Sequence, residues 1–153
     1  LAKARGARVI AVAGDEKHHS VLDAGADQAL VRGASLEAAL GENSVDVVID
    51  LVGGEDWPEL LTILTPFGRY AVSGAIAGPI VELDLRTLYL KDQRFLGCTV
   101  LDDGVFSRLV GLIEEGDIKP LLARSFALES LSEAQAFVLD KQVTGKLVID
   151  MAL

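Results

Sequence analysis

Several things are scarce in this 153-residue chain. Cysteine occurs once, as Cys98, so no internal disulfide can form; this fits a reducing compartment, and the expected location is cytoplasmic. Half of the residues are hydrophobic, yet no apolar run approaches the ~20 residues that a membrane-spanning helix needs, so no membrane partner is expected. Basic residues are few. Lys and Arg total 14 against 23 Asp and Glu, and the net charge of −9 argues against nucleic acid as a general partner. A few backbone N–H groups can still hold a phosphate against that field. No internal repeat or low-complexity linker is visible. Methionine occurs once, as Met151, and the first residue is Leu1. "LAKARGA" reads as the last turns of a helix, with Lys3 and Arg5 near its negative end and Gly6 as the stop. The expectation is that further sequence precedes it.

What is present is an alternation of strand and helix patterns. Strands are expected at 8–13, 28–31, 45–52, 68–74 and 94–100. Helices are expected at 16–26, 35–41, 55–65, 83–92 and 104–116, with Ser35 as an N-cap and Pro58 confined to a first turn. Apolar strands without polar alternation imply burial on both faces, and intervening helices imply parallel pairing. After Gly116 come a short strand near 124–128 and a helix from Ser130 or Ser132 to about Lys141. A turn at Gly145 and the strand "KLVIDM" complete the chain. The predicted fold class is α/β, an incomplete doubly wound parallel sheet. The expected division is 1–118 as the sheet-bearing part and 119–153 as a C-terminal segment.

The stretch "VDVVIDLVGG" (45–54) raises a question: a nearly unbroken apolar strand ends on paired glycines. In doubly wound sheets, ligands sit beyond the carboxyl ends of the strands, where the backbone approaches them and a Cβ obstructs. Gly53-Gly54, Gly74 and Gly97 recur at such ends and predict a ligand-lined rim. Asp50 is expected to accept loop N–H bonds and fix the turn, and Asp46 to be solvated at the opposite end. His18 and His19 are adjacent, so on a helix they point about 100° apart and cannot readily share one metal ion. Both are read as surface residues.

"AKARGARVIAVAG", "DAGAD", "VDVVIDLVGG", "FGRYAVSG", "DQRFLGCTV", "EEGDIKPLLARSFALESLSEAQ" and "TGKLVIDM" follow one another in an order that resembles the medium-chain dehydrogenase/reductases. The likeness is to the quinone oxidoreductase-like branch and to zinc-type alcohol dehydrogenases. It implies a Rossmann sheet of order 3-2-1-4-5-6 whose first strand and Gly-rich phosphate loop would stand ahead of Leu1. The chain contains no G-x-G-x-x-G. The strands at 8–13 and 45–52 are then expected to leave a gap, pair directly, or receive a strand from other protein. The segment 119–153 belongs with the catalytic domain in the family.

The same resemblance implies that Val52, Gly53, Gly54, Ser73, Gly74 and Ala75 line the ribose–nicotinamide half of a dinucleotide. Phe95, Leu96, Gly97, Cys98 and Thr99 would lie near the nicotinamide. Gly14 and Lys17 follow the second strand of the family's order, where a small residue and a cation resemble the NADP(H) pattern. Asp15 and Glu16 cut against it and keep NAD(H) open. No catalytic residue and no metal ligand is assigned in this chain; any zinc would be held elsewhere. The resemblance further implies that the edge strand at 94–100 pairs with its twofold mate in a homodimer and continues the sheet, which its apolar, proline-free composition agrees with. The expected function is a fragment of an NADP(H)-dependent oxidoreductase acting on a quinone, enal or other carbonyl or alcohol. Alternatives are a zinc-dependent alcohol dehydrogenase, a synthase enoyl-reductase module, and a non-catalytic dinucleotide-binding protein. A self-sufficient small α/β binding domain is the remaining one.

Overall fold

The computed structural model describes residues 1–139 and 144–151. The chain divides into two compact units. One comprises Leu1–Val31 with Asp103–Leu153, the other Arg32–Asp102.

In the first unit, β1 (Ile10–Ala13) and β2 (Gln28–Val31) pair in parallel, in the register Ile10 to Gln28 and Ala13 to Val31. Between them lie a 3-10 turn at Asp15–Lys17 and α1 (His18–Asp23), after which Gly25 takes a positive φ of 102° and stops the helix. The expected helical ending before β1 is a 3-10 turn at Lys3–Arg5, closed by Gly6 at φ 77°. Lys3 Nζ holds Asp27 at 2.9 Å, and Val9 N donates to the same carboxylate at 2.7 Å, which clamps the start of β1 to the start of β2. Backbone donation from Val9, with Lys3 beside it, lowers the Asp27 pKa.

The later part of this unit carries α5 (Val105–Glu114), ended by Gly116. A parallel strand–helix–strand follows: β6 (Leu122–Ala127), α6 (Leu131–Leu139) and β7 (Lys146–Asp150). Phe126 and Phe137 pack at 5.8 Å, with the Arg124 guanidinium 4.5 Å above the Phe126 ring. Ser132 lies inside the first turn of α6. The expected extension of this helix through residues 140 and 141 lies outside the described residues.

The second unit is a three-stranded parallel sheet, β3 (Val45–Asp50), β4 (Leu64–Val72) and β5 (Arg94–Gly97), in that order. Around it are α2 (Leu36–Leu40), α3 (Trp57–Ile63) and α4 (Leu85–Leu90). Ser35 caps α2 as expected, accepting from Ala38 N at 3.2 Å. Glu59 of α3 reinforces that end, taking Leu36 N at 2.7 Å and the Ser35 hydroxyl at 2.8 Å. Val48, Tyr70 and Phe95 stand side by side on one face of the sheet and pack with Trp57, Leu61 and Leu64 of α3 and its exit.

Three expectations need correction. The strands of this unit are not covered on both sides. Val47, Ile49 and Leu51 remain 42%, 69% and 58% exposed on the face opposite the core, joined by Leu96 of β5. An apolar composition marks a strand that can be buried twice, and here the described residues of this unit lay no layer against one face. The fifth strand is also shorter than 94–100, because Cys98, Thr99 and Val100 leave the ladder after Cys98 N bonds Val72 O at 2.8 Å. His18, read as a surface residue, is half-buried with its Nε2 enclosed; His19 is exposed.

The doubly wound reading itself stands, with parallel pairing throughout the named ladders. Among the described residues, β1 pairs with β2 alone and β3 with β4 alone, so each leaves one backbone edge without a ladder partner. No described helix is long and apolar enough to cross a membrane.

Candidate functional site

The site grows from the carboxyl ends of β3, β4 and β5, which the parallel register brings level: Asp50 stands opposite Val72, and Val72 opposite Gly97. Ser73 N bonds Asp50 O at 3.1 Å and carries the register past the ladder's end. Gly53 then turns the chain with φ 62° and ψ −153°, a conformation open essentially to glycine. A Cβ there would come within 2.8 Å of Gly78 O, so the side-chain void is filled by a neighbouring loop. That loop is laced to the turn by Ala77 N to Val52 O at 2.9 Å and Gly54 N to Gly78 O at 3.1 Å. A Cβ on Gly74 would meet Leu51 O at 2.7 Å. Two of the three glycine positions thus serve backbone-to-backbone packing. At Gly97, by contrast, no described atom beyond its neighbours lies within 4 Å of the Cβ position.

Beside this rim is an open cleft of about 260 Å³. Of the residues singled out from sequence, Gly53, Ala75, Phe95, Leu96 and Gly97 line it. Val52, Gly54, Ser73, Gly74, Cys98 and Thr99 stand along the same strand ends without lining it. Gly14 and Lys17 belong to the other unit. There Gly14 precedes the 3-10 turn and Lys17 closes it at the start of α1. A Cβ on Gly14 would collide with the Glu16 carboxylate.

Sequence reasoning did not single out Trp57, Tyr70 and Val72, which also wall the cleft. Trp57 meets Tyr70 edge-on at 4.7 Å and Phe95 at 5.5 Å, while its indole N–H donates to Glu82 O at 3.0 Å. The ladder sets Tyr70 beside Val48, on the face that Asp50 shares, a register that levelling the glycine ends of the two strands would have missed by one residue.

Asp50 does what its position predicted and more. Oδ1 accepts from Val52 N at 2.7 Å and Gly53 N at 3.0 Å, and Oδ2 accepts the Tyr70 hydroxyl at 2.5 Å. Burial works against its charge, but the bonds from Tyr70, Val52 and Gly53 outweigh it and hold the carboxyl below its ordinary pKa. Burial and the adjacent carboxylate push the Tyr70 phenol well above its own. The pair therefore keeps its proton on Tyr70. Asp46, at the other end of β3, is exposed.

The family model described as zinc-binding dehydrogenase matches residues 1–115. The chain belongs to that family. Quinone oxidoreductase-like protein 2 of Bos taurus is 33% identical over 160 residues, covering 95% of this chain and 46% of the relative. A Sinorhizobium meliloti 1021 protein solved as a candidate alcohol dehydrogenase is 47% identical with a TM-score of 0.86, over 98% of this chain and 44% of the other. A solved NAD-dependent alcohol dehydrogenase is 27% identical with a TM-score of 0.84, over 98% and 46%. The chain thus spans about half the length of the relatives it matches. The resemblance read from sequence, to the C-terminal part of medium-chain dehydrogenase/reductases, is shown by these matches.

The groups such a family uses fit unequally. The apolar cleft and the bare Gly97 backbone suit a flat ring and its sugar, though the volume is small beside the ~300–1,000 Å³ of whole-ligand sites. Zinc does not fit: among the described residues, no three His, Cys, Asp or Glu side chains gather where they could hold it.

Proposed function

We propose that this chain is the nucleotide-binding share of an NADP(H)-dependent oxidoreductase that moves hydride to or from a quinone, enal or other carbonyl or alcohol. One observation carries the reading: in a zinc-binding dehydrogenase relative, the parallel strand ends converge on an apolar cleft at Gly53 and Gly97. Val52, Gly53, Gly54, Ser73, Gly74 and Ala75 would hold the ribose–nicotinamide half. Phe95, Leu96, Gly97, Cys98 and Thr99 would wall the ring. Hydride transfer is the bound dinucleotide's chemistry; these residues orient the ring and keep water from it. Groups that polarise the substrate would come from sequence outside the chain, and 119–153 would join that catalytic part. Gly14 and Lys17 favour NADP(H), through space and a cation at the 2′-phosphate, with NAD(H) the alternative. The edge strand Arg94–Gly97 would pair with its twofold mate in a homodimer.

The test is NADPH and NADH oxidation by the longer gene product, with a benzoquinone or an enal as acceptor. Turnover with NADPH that survives metal chelation supports the reading. Turnover of alcohols abolished by chelation selects a zinc-dependent alcohol dehydrogenase, favoured by the family match. Tight binding without turnover of any acceptor selects a non-catalytic protein. The 153 residues alone are expected to bind dinucleotide poorly, because they contain no Gly-rich phosphate loop.

A further inference from the structure

We propose that Asp50 and Tyr70 are a positioning pair that fixes the Gly53 ledge for the dinucleotide, a role that rests on the nicotinamide reading of the cleft. The bonds form a chain: Tyr70 Oη donates to Asp50, Asp50 receives Val52 N and Gly53 N, and Val52 and Gly54 tie down the loop through Ala77 and Gly78. Tyr70 is itself held between Trp57 and Phe95, so the ledge is referred to the aromatic core.

A turn alone does not call for this arrangement. Glycine reaches the φ 62° conformation without help, and a buried carboxylate is a poor way to gain stability. A buried charge with several donors, however, gives a unique and rigid local geometry. Gly53 needs that rigidity because glycine has many other conformations open to it, and the ledge must hold one. Asp50 is 6% exposed and directs both carboxylate oxygens to protein donors. It therefore acts on a ligand through Gly53.

The experiment uses the longer protein with Tyr70→Phe, Asp50→Ala and Asp50→Asn. Asparagine keeps an acceptor oxygen for Val52 and Gly53, and its amide can donate to Tyr70. The expected result is a dinucleotide Kd weakened about tenfold in Tyr70→Phe, with kcat at saturating dinucleotide falling by less than binding does. Asp50→Asn should bind close to wild type and Asp50→Ala should not; where Asp50→Ala fails to fold, Tyr70→Phe decides. In parallel, amide exchange without ligand should speed at Val52 and Gly53 in Tyr70→Phe while central β4 amides hold. Unchanged exchange there, or a folded Tyr70→Phe that binds dinucleotide like wild type, overturns the pair's role. So does a Kd that merely tracks melting temperature across the variants. A wild-type protein that binds neither NADPH nor NADH overturns the reading of the cleft, and with it this role, even where the exchange result holds.

Discussion

Lys91 closes the carboxyl end of helix α3 from a distant part of the chain: its Nζ lies 3.1 Å from the carbonyl oxygen of Thr62. The same ammonium reaches Leu61 O and Leu64 O at 3.3 Å, and Gln93 Nε2 donates to Leu61 O and Leu64 O. These are the carbonyls that a helix leaves without intrahelical partners, and a cation there also opposes the helix dipole. Lys91→Met keeps the stem and removes the donors. It should lower unfolding free energy by about 1–2 kcal/mol, read as a reduced urea midpoint with an unchanged slope.

That contact also explains a boundary the sequence hid. The helix was expected to run to 65 and the next strand to start at 68, because no glycine or proline stops the helix before Pro66. In the structure Ile63 ends the helix and Leu64 begins β4 directly. Pro66 is the local breaker, disfavouring helix at Thr65, while Lys91, 28 positions beyond Ile63, supplies donors to the carbonyls of the last turn that no local pattern announces. Where caps were local, as at Ser35, Gly25 and Gly116, the elements were legible. The strand ends at Gly53 and Gly74 were legible as well, since glycine there answers a steric demand of the backbone. The bare face of β3 was not, because composition reports what a strand tolerates and not what lies against it.

The Asp50–Tyr70 pair should shape stability at both ends of the pH scale. The Asp50 pKa is depressed in the folded state, so its contribution is complete above the unfolded carboxylate value, ~3.9, and is lost as pH falls through the folded value. The Tyr70 pKa is raised, so its contribution is complete below ~10 and is lost as pH climbs toward the folded value. Tyr70→Phe should flatten the alkaline fall in stability and lower the plateau at neutral pH by about 1–3 kcal/mol. Urea midpoints of both proteins from acid to alkaline pH check this. Parallel alkaline limbs in the two proteins would contradict it.

Gly53 and Gly97 should respond oppositely to the same change. Gly53→Ala forces a side chain into a positive-φ position and within 2.8 Å of a backbone oxygen, and should cost roughly 1–3 kcal/mol. Gly97→Ala meets open space and should shift stability by no more than about 0.5 kcal/mol. Its methyl group would, however, occupy the cleft wall. In the longer protein, Gly97→Ala should therefore weaken dinucleotide binding while the melting temperature stays put. Calorimetric titration beside a thermal melt separates the two effects.

The uncovered face of β3 makes the last prediction. Ile49 is the most exposed of its apolar residues, and Val47 and Leu51 flank it on the same side of the strand. A patch of this kind on a strand with an unpaired edge invites self-association. Because Ile49 makes little contact with its own fold, Ile49→Thr keeps the β-branch and should change stability by less than about 0.5 kcal/mol. It should also raise the monomer fraction of the 153-residue chain in sedimentation velocity and reduce its binding of a hydrophobic dye. Val48→Thr, one position away, removes apolar surface from the core cluster with Trp57 and Leu61 and places a hydroxyl there. It should cost about 1–3 kcal/mol. Equal destabilisation by the two substitutions would show that the Ile49 face is covered in solution.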